Sequence, residues 1–293
     1  MTAAISVAGL TRRYRGHLAL DDIGFDVESE SIVGLLGRNG AGKTTLLRIL
    51  AGQEFASAGR VGVLGASPVE NDEILRRMVF IREDQVYPDL KAWRVLRLAA
   101  RFYPNWNAEL AGTLLADFGL PIERNIRKLS RGMRSALGIV VGLAARAEVT
   151  LFDEPYAGLD AVARELFYDR LLAEFAEHPR TVLLSTHLID EAAGLLERVV
   201  VLDRGRIVLD APADGLRGSV THVSGPAIAV ADFTAGRTVF NRRRIGSQES
   251  AVVAGAMADS DRARARTLRL SLEPVTLQQI VVQAAAAREG TSA

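Results

Sequence analysis

Four residues between two apolar runs have the types and the spacing needed to bind a chain of phosphate groups. Gly37, Gly42, Lys43 and Thr44 fit the pattern G-x-x-x-x-G-K-[ST]. Glycines let successive backbone N–H groups point inward around an anion, because no side chain blocks the approach. The Lys43 ammonium would then reach the β- and γ-phosphates, and the Thr44 hydroxyl would ligate Mg²⁺.

The segments on either side of this turn predict the elements that position it. Residues 32–36 form a short apolar run typical of a buried strand, and residues 44–51 have helical apolar spacing that ends at Gly52. The turn therefore joins a strand to a helix whose positive end faces the same anion. This is the context of a Walker A motif, and we expect ATP contacts from Gly37, Arg38, Asn39, Gly40, Ala41, Gly42, Lys43, Thr44 and Thr45.

A second apolar run, residues 149–152, ends in Asp153 and Glu154. Sheets of α/β proteins bind ligands beyond the carboxyl ends of their strands. Asp153 there suits the coordination shell of Mg²⁺, and Glu154 suits a general base or a residue that orients the attacking water. An acidic pair at a strand end is also common on solvated surfaces, so this pair alone leaves the function open.

A short segment between these two motifs indicates which family of P-loop proteins the chain resembles. Residues 129–133 read LSRGM, which resembles the LSGGQ signature of the ATP-binding subunit of ABC transporters. The other motifs of that family follow in order, with VTLFDEP resembling Walker B, GLD at 158–160 the D-loop, and STH at 185–187 the switch-histidine segment. The resemblance covers residues 3 to about 218, and FYPNWN at 102–107 is similar to bacterial exporter ATPases.

The resemblance implies a role for several further residues. Tyr14 occupies the position of the aromatic residue that stacks on adenine, and His187 that of the γ-phosphate sensor. Asp160 caps a helix at the subunit interface beside ATP. Because the family works as head-to-tail pairs, Ser130 and Gly132 would close the ATP site of the other subunit. We therefore expect a homodimer or a pair with a homologous ATPase.

The chain departs from the family pattern at two positions that bear on the site. The family places a glutamine after the strand that here reads MVFI, and counting from that strand gives Glu83, whereas the first glutamine is Gln85. We favour Gln85 as the residue that approaches Mg²⁺ and takes part in catalysis with Glu154, His187 and Lys43; Glu83 is the alternative. Arg131 replaces a signature glycine, so its side chain must point away from the nucleotide or add a positive contact to it.

The predicted fold class is α/β, a P-loop NTPase of the ABC ATPase type over residues 1–218. Residues 3–36 alternate as antiparallel strands, and a helical subdomain is inserted at about 88–148, with helices at 92–102, 109–118 and 130–145. Residues 219–293 predict a small α+β extension. In that extension Leu268, Leu270 and Leu272 alternate as a strand, and Pro274 opens a helix that runs to residue 287.

Composition limits the partners. The chain has 293 residues, a net charge of +1 and no cysteine, so we expect no nucleic-acid partner and no disulfide. The longest smoothly apolar stretch, residues 136–145, is about half of the roughly 20 residues that a membrane span needs. We expect a cytoplasmic protein held peripherally at the inner face of the cell membrane through a permease.

These observations favour an ATP-binding and ATP-hydrolysing subunit, with ATP and Mg²⁺ as cofactors, that energises a separately encoded membrane permease of an exporter. The alternative is a soluble ABC ATPase that acts on the ribosome or on DNA. Ribosomal members carry two cassettes in one chain, and repair members insert a long coiled coil that does not fit between Lys43 and Ser130. A P-loop kinase would leave LSRGM and STH unexplained.

Overall fold

The computed structural model describes residues 3–216 and 218–282. The chain divides between Ile207 and Val208 into two compact units. The boundary predicted from the sequence, residue 218, lies further along the chain. Among the described residues, no helix combines the length and the apolar character that crossing a bilayer requires.

A six-stranded sheet forms the centre of the first unit, and its edge strand β9 (Arg206–Pro212) continues past the boundary at Ile207. Its strand order is β5-β6-β7-β3-β8-β9, and the bounds are Ile32–Leu36 for β3, Met78–Arg82 for β5, Val149–Asp153 for β6, Thr181–Thr186 for β7, Arg198–Asp203 for β8 and Arg206–Pro212 for β9. The first five strands in this order, β5, β6, β7, β3 and β8, are parallel. Every residue of β3, β6 and β7 is buried, which explains their short continuous apolar runs.

Helices connect the parallel strands, as right-handed βαβ crossovers require. The first of them, α1, begins directly after the glycine turn and places its apolar face in the core. The connecting helices of this part are α1 (Lys43–Leu50), α2 (Asp72–Arg76), α6 (Ala161–Glu177) and α7 (Ile189–Ala192).

A three-stranded antiparallel sheet in the order β2-β1-β4 forms the second layer. Its strands are β1 (Ala3–Tyr14), β2 (His17–Glu28) and β4 (Ala58–Val63). Ile23, Phe25 and Val27 alternate with exposed residues and are buried, as their spacing predicts. A two-residue turn joins β1 to β2, so that Tyr14 lies opposite His17.

The helical insertion contains α3 (Ala92–Phe102), α4 (Ala108–Asp117), a short 3₁₀ helix (Ile126–Lys128) and α5 (Arg131–Ala144). The predicted helices at 92–102, 109–118 and 130–145 agree with α3, α4 and α5 to within one residue at each end. A Cβ atom on Gly142 would lie 2.7 Å from the Phe152 ring, so glycine lets α5 pack closely against β6. This packing fixes the start of α5, where the signature residues lie.

The second unit is an α+β fold, as predicted. Its sheet has the order β11-β12-β10-β13 and is antiparallel. Two helices, α9 and α10, pack on it around Val223, Phe233 and Val253. The elements are α8 (Ala213–Leu216), β10 (Val220–Pro226), α9 (Ala227–Phe233), β11 (Val239–Ile245), β12 (Gln248–Ala254), α10 (Asp259–Thr267) and β13 (Ser271–Pro274).

One element of this unit differs from its prediction. The strand expected to include Leu268, Leu270 and Leu272 begins only at Ser271. Leu268 instead caps the end of α10, and Leu270 packs in the core beside Phe233. Their alternation therefore reflects core packing at the end of a helix. A helical segment follows at residues 277–282, and the rest of the predicted helix, up to residue 287, lies outside the described residues.

Candidate functional site

The carboxyl ends of three adjacent strands bring the candidate site together. Strands β6, β7 and β3 are neighbours and parallel. The glycine turn follows β3, Asp153 ends β6 with Glu154 directly after it, and His187 follows β7. Residues far apart in the chain therefore meet at one edge of the sheet, as ligand-binding groups of α/β proteins do.

The glycine turn has a backbone that only glycine adopts without strain. Gly37 has φ 150° and Gly42 has φ 108°. A Cβ atom on Gly37 would lie 2.2 Å from the carbonyl oxygen of Leu202, and one on Gly42 would lie 2.6 Å from that of Ala19. Both positions must remain glycine for the turn to keep its shape.

The Lys43 side chain is held within the turn. It is only 5% exposed, and its Nζ donates to the carbonyl oxygens of Gly37 at 2.7 Å and Arg38 at 3.3 Å. The Glu154 carboxylate lies 3.6 Å from the same Nζ. A buried ammonium at a helix N-terminus is a site for an anion, so this lysine is placed to contact a bound phosphate chain.

Thr44 and Asp153 form a pair that fits a magnesium ion. The Thr44 hydroxyl donates to Asp153 Oδ2 at 2.7 Å. Burial raises the pKa of Asp153, while the hydrogen bond from Thr44 acts in the opposite direction. Oxygen ligands of this kind suit Mg²⁺. The described residues contain no cluster of three or more His, Cys, Asp and Glu side chains able to hold a metal.

Glu154 is fixed by its backbone and by a histidine. It has φ 48°, in the left-handed region that non-glycine residues rarely adopt. Its N–H donates to the Ser185 carbonyl oxygen at 3.2 Å. One carboxylate oxygen, Oε2, lies 2.9 Å from His187 Nδ1. The strained backbone and the histidine together orient the carboxylate, which can accept a proton from a bound water molecule.

Tyr14 is positioned by two residues that sequence reasoning missed. The guanidinium of Arg12 lies 4.5 Å from the centre of the Tyr14 ring. Glu54 accepts a hydrogen bond from the Tyr14 hydroxyl and another, at 2.9 Å, from Arg12 Nε. Arg12 lies two residues before Tyr14 on β1 and therefore on the same face of the sheet. This spacing is the sequence signal that could have identified Arg12.

Most of these residues line one cavity of about 380 Å³, but Gly37, Arg38 and His187 are not among its lining residues. The aromatic residue, most of the glycine turn and the acidic pair lie together around it. The lining residues are Tyr14, His17, Ala19, Asn39, Gly40, Ala41, Gly42, Lys43, Thr44, Thr45, Glu83, Asp153 and Glu154. His17 and Ala19 were not anticipated; His17 faces the site because the two-residue turn places it opposite Tyr14.

The structure places Glu83, rather than Gln85, at this cavity. Strand β5 pairs with β6 as far as Arg82 and Asp153, and the Glu83 N–H donates to the Asp153 carbonyl oxygen at 2.9 Å. Gln85 lies two residues further on, where its Oε1 accepts from the Arg82 N–H at 3.2 Å and its side chain lines a neighbouring cavity. The backbone register brings Glu83 to the part of the cavity where Thr44 and Asp153 lie. Gln85 was favoured from the sequence because the family has a glutamine after this strand.

The remaining predicted site residues lie outside the cavity of their own chain. Ser130 caps α5 by accepting from the Met133 N–H at 3.1 Å, and Asp160 caps α6 by accepting from the Ala163 N–H at 2.9 Å. Gly132 packs against Gly158, where a Cβ atom would lie 2.4 Å from the carbonyl oxygen. The structure therefore joins the signature to the D-loop within the chain and keeps both apart from the ATP cavity.

The fold and the site define a P-loop nucleotide-binding protein. The sequence pattern of the ABC transporter family matches residues 20–157. The Nod factor export ATP-binding protein I of Ralstonia nicotianae is 32% identical over 76% of this chain and 71% of its own length. The doxorubicin resistance ATP-binding protein DrrA of Mycobacterium tuberculosis is 32% identical over 73% of this chain and 67% of its own length.

Solved structures agree with this assignment. The ATP-binding subunit of an ABC transporter superposes with a TM-score of 0.67, at 28% identity over 73% of this chain and 92% of that one. The chain belongs to the ABC transporter family as an ATP-binding subunit, and its activity is the hydrolysis of ATP.

Proposed function

We propose that this chain powers a separately encoded membrane permease and that the resulting transporter is an exporter. The observation that supports the proposal is that one chain holds the two parts of the expected ATP site in separate places. The cavity contains the groups for the phosphates and the metal, whereas Ser130 and Gly132 lie outside it. A second subunit must then supply the signature, and assembly and release of such a pair can drive a permease between two states.

The direction of transport is inferred from relatives. The two relatives named above are called a Nod factor export protein and a doxorubicin resistance protein. The first name states export, and the second states resistance to a drug, which removal of the drug from the cell would provide. The chain would lie at the inner face of the cell membrane, held there by the permease.

The tasks that we propose for the site residues rest on the family resemblance and on the contacts described above. Tyr14 stacks on the adenine ring, while Lys43 and the N–H groups of the glycine turn hold the phosphates. Thr44 and Asp153, with Glu83 nearby, would hold Mg²⁺, which would supply positive charge to the phosphate oxygens. Glu154 takes the proton of the attacking water, and His187 keeps that carboxylate in place.

The pairing is a head-to-tail homodimer or a pair with a homologous ATPase. Ser130 and the N-terminus of α5 would contact the γ-phosphate held by the other subunit. Gly132 packs against Gly158, which lies two residues before the capping residue Asp160. Once hydrolysis separates the γ-phosphate, these contacts are lost and the two subunits part.

The test is capture of the permease by a trapped chain. Tagged Glu154→Gln protein is expressed in its host, supplied with ATP, extracted in mild detergent and purified, and the copurifying proteins are identified by mass spectrometry. We expect a polytopic membrane protein that is absent from the Lys43→Ala control, since that variant cannot hold the nucleotide that closes the pair. Recovery of ribosomal or DNA-repair proteins without a membrane protein would instead support the soluble alternative.

A further inference from the structure

Arg131 occupies the signature position where the related motif has glycine. It is the first residue of α5, directly after the capping residue Ser130. Its guanidinium forms an ion pair with the Glu83 carboxylate. One side chain therefore connects the start of the signature helix to a residue that lines the ATP cavity of the same chain.

The Glu83 end of this pair is anchored at the metal side of the site. Its backbone N–H is bonded to the carbonyl oxygen of Asp153, the residue that pairs with Thr44. Glu83 lines the same cavity as Thr44 and Asp153, and it also lines the neighbouring cavity together with Arg131. A carboxylate in this position is a ligand that Mg²⁺ prefers, either directly or through a water molecule.

The stem of Arg131 is packed against a third segment. A Cβ atom placed on Gly158 would lie 3.0 Å from Arg131 Cγ and 3.2 Å from its Cδ. The methylene groups therefore lie on the D-loop while the charged end reaches Glu83. Glycine at position 158, with φ 82°, makes room for this stem.

The ion pair is accessible to solvent, so Glu83 can exchange Arg131 for another cation. The Arg131 side chain is 61% exposed and that of Glu83 is 39% exposed. An ion pair in water contributes little to stability, because solvent screens the charges and two long side chains must be ordered. A divalent cation beside Glu83 would attract its carboxylate more strongly than one exposed guanidinium does.

We propose that Arg131 is a positioning residue that competes with the nucleotide-bound divalent cation for Glu83. Before nucleotide binds, Arg131 holds Glu83 and thereby ties α5 to the ATP site of its own chain. When the metal–nucleotide complex takes Glu83, Arg131 is released, and the start of α5 is free to meet a partner subunit. This inference rests on the proposed magnesium site.

The test compares metal dependence in purified full-length variants. Binding of a fluorescent ATP analogue is titrated with Mn²⁺, and bound Mn²⁺ is counted by electron paramagnetic resonance. Arg131→Met retains the packed stem and removes the charge. We expect it to lower the Mn²⁺ concentration for half-maximal nucleotide binding by roughly two- to five-fold, the range set by an exposed ion pair.

Two further variants separate competition from a general charge effect. Arg134→Met removes the same charge one helical turn along α5 and should leave the Mn²⁺ midpoint unchanged. In a Glu83→Gln background, Arg131→Met should have no effect, because the contested carboxylate is gone. An unchanged midpoint in Arg131→Met, or an equal shift in the Glu83→Gln background, overturns the inference while the magnesium site stands. Nucleotide binding without any dependence on Mn²⁺ in the unmodified chain overturns both.

Discussion

Glu154 and His187 are joined by a contact of 2.9 Å between carboxylate Oε2 and imidazole Nδ1. The two residues follow β6 and β7, neighbouring strands whose backbone register fixes their separation. Lys43 approaches the other carboxylate oxygen at 3.6 Å. The carboxylate is thus held from both sides before any substrate arrives, which is the preorganisation that proton transfer requires.

Replacing Glu154 with Gln should separate ATP binding from hydrolysis. An amide of the same shape retains the packing but cannot accept a proton, so we expect the rate of phosphate release to fall by about 10²- to 10⁴-fold. Because the γ-phosphate then persists, the variant should accumulate as a dimer with ATP in size-exclusion chromatography coupled to light scattering. Glu177→Gln, an exposed position at the end of α6, is the matched control. Normal turnover in Glu154→Gln would exclude this residue as the base.

Removing the imidazole should lower turnover through Glu154. We expect His187→Ala to reduce kcat by at least about tenfold while leaving the affinity for ATP nearly unchanged, because its contact is with the carboxylate. The double variant with Glu154→Gln should be no slower than Glu154→Gln alone, since the histidine acts through the group already lost. Additive losses in steady-state kinetics would show that His187 acts independently.

A single methyl group should disrupt the junction between the signature and the D-loop. In Gly132→Ala the new Cβ would lie 2.4 Å from the Gly158 carbonyl oxygen, so we expect a loss of about 1–3 kcal/mol in the free energy of unfolding. Gly112 on α4 is the control, because a Cβ there meets no atom within 4 Å. Gly112→Ala should stabilise by about 0.5–1 kcal/mol through higher helix propensity. Urea denaturation measures both; equal effects would contradict the close approach.

The aromatic ring of Tyr14 should contribute to ATP binding only by stacking on the adenine base. We expect Tyr14→Ala to weaken ATP binding by roughly 1–3 kcal/mol, a typical value for stacking of a base on an aromatic ring. Tyr14→Phe, which retains the ring beside Arg12, should remain close to the unmodified protein. Inorganic tripolyphosphate has no base, so its affinity in calorimetry should not change in either variant. A loss of tripolyphosphate binding in Tyr14→Ala would assign the ring to the phosphates.

The sequence predicts the parts of the site that belong to continuous local patterns. The glycine turn, the strand that ends in Asp153 and the helix that begins after Ser130 each have a signal within about fifteen residues. Each pattern specifies its own element, and the parallel arrangement of β6, β7 and β3 then brings the strand ends together.

The parts that the sequence does not predict depend on register between distant segments. Counting from the strand MVFI offered Glu83 only as the alternative to Gln85, and the choice between them follows from pairing of Arg82 with Asp153 across β5 and β6, which no local pattern specifies. The support of Tyr14 by Glu54 likewise joins residues forty positions apart. In the second unit, Leu270 satisfied a strand pattern and a core position equally well, and only tertiary packing decided between them.

One part of the site lies at the ends of the sheet strands, and the other part lies on segments outside the sheet. The glycine turn, Asp153 and Glu154 lie at the carboxyl ends of hydrogen-bonded parallel strands, whereas Arg131 is the first residue of α5 and Gly158 lies in the segment before α6. If the two proposals above hold, a substitution in the second group would change the contact with a partner subunit or, through Glu83, the metal dependence of nucleotide binding, and it would leave the strands that support the glycine turn unchanged.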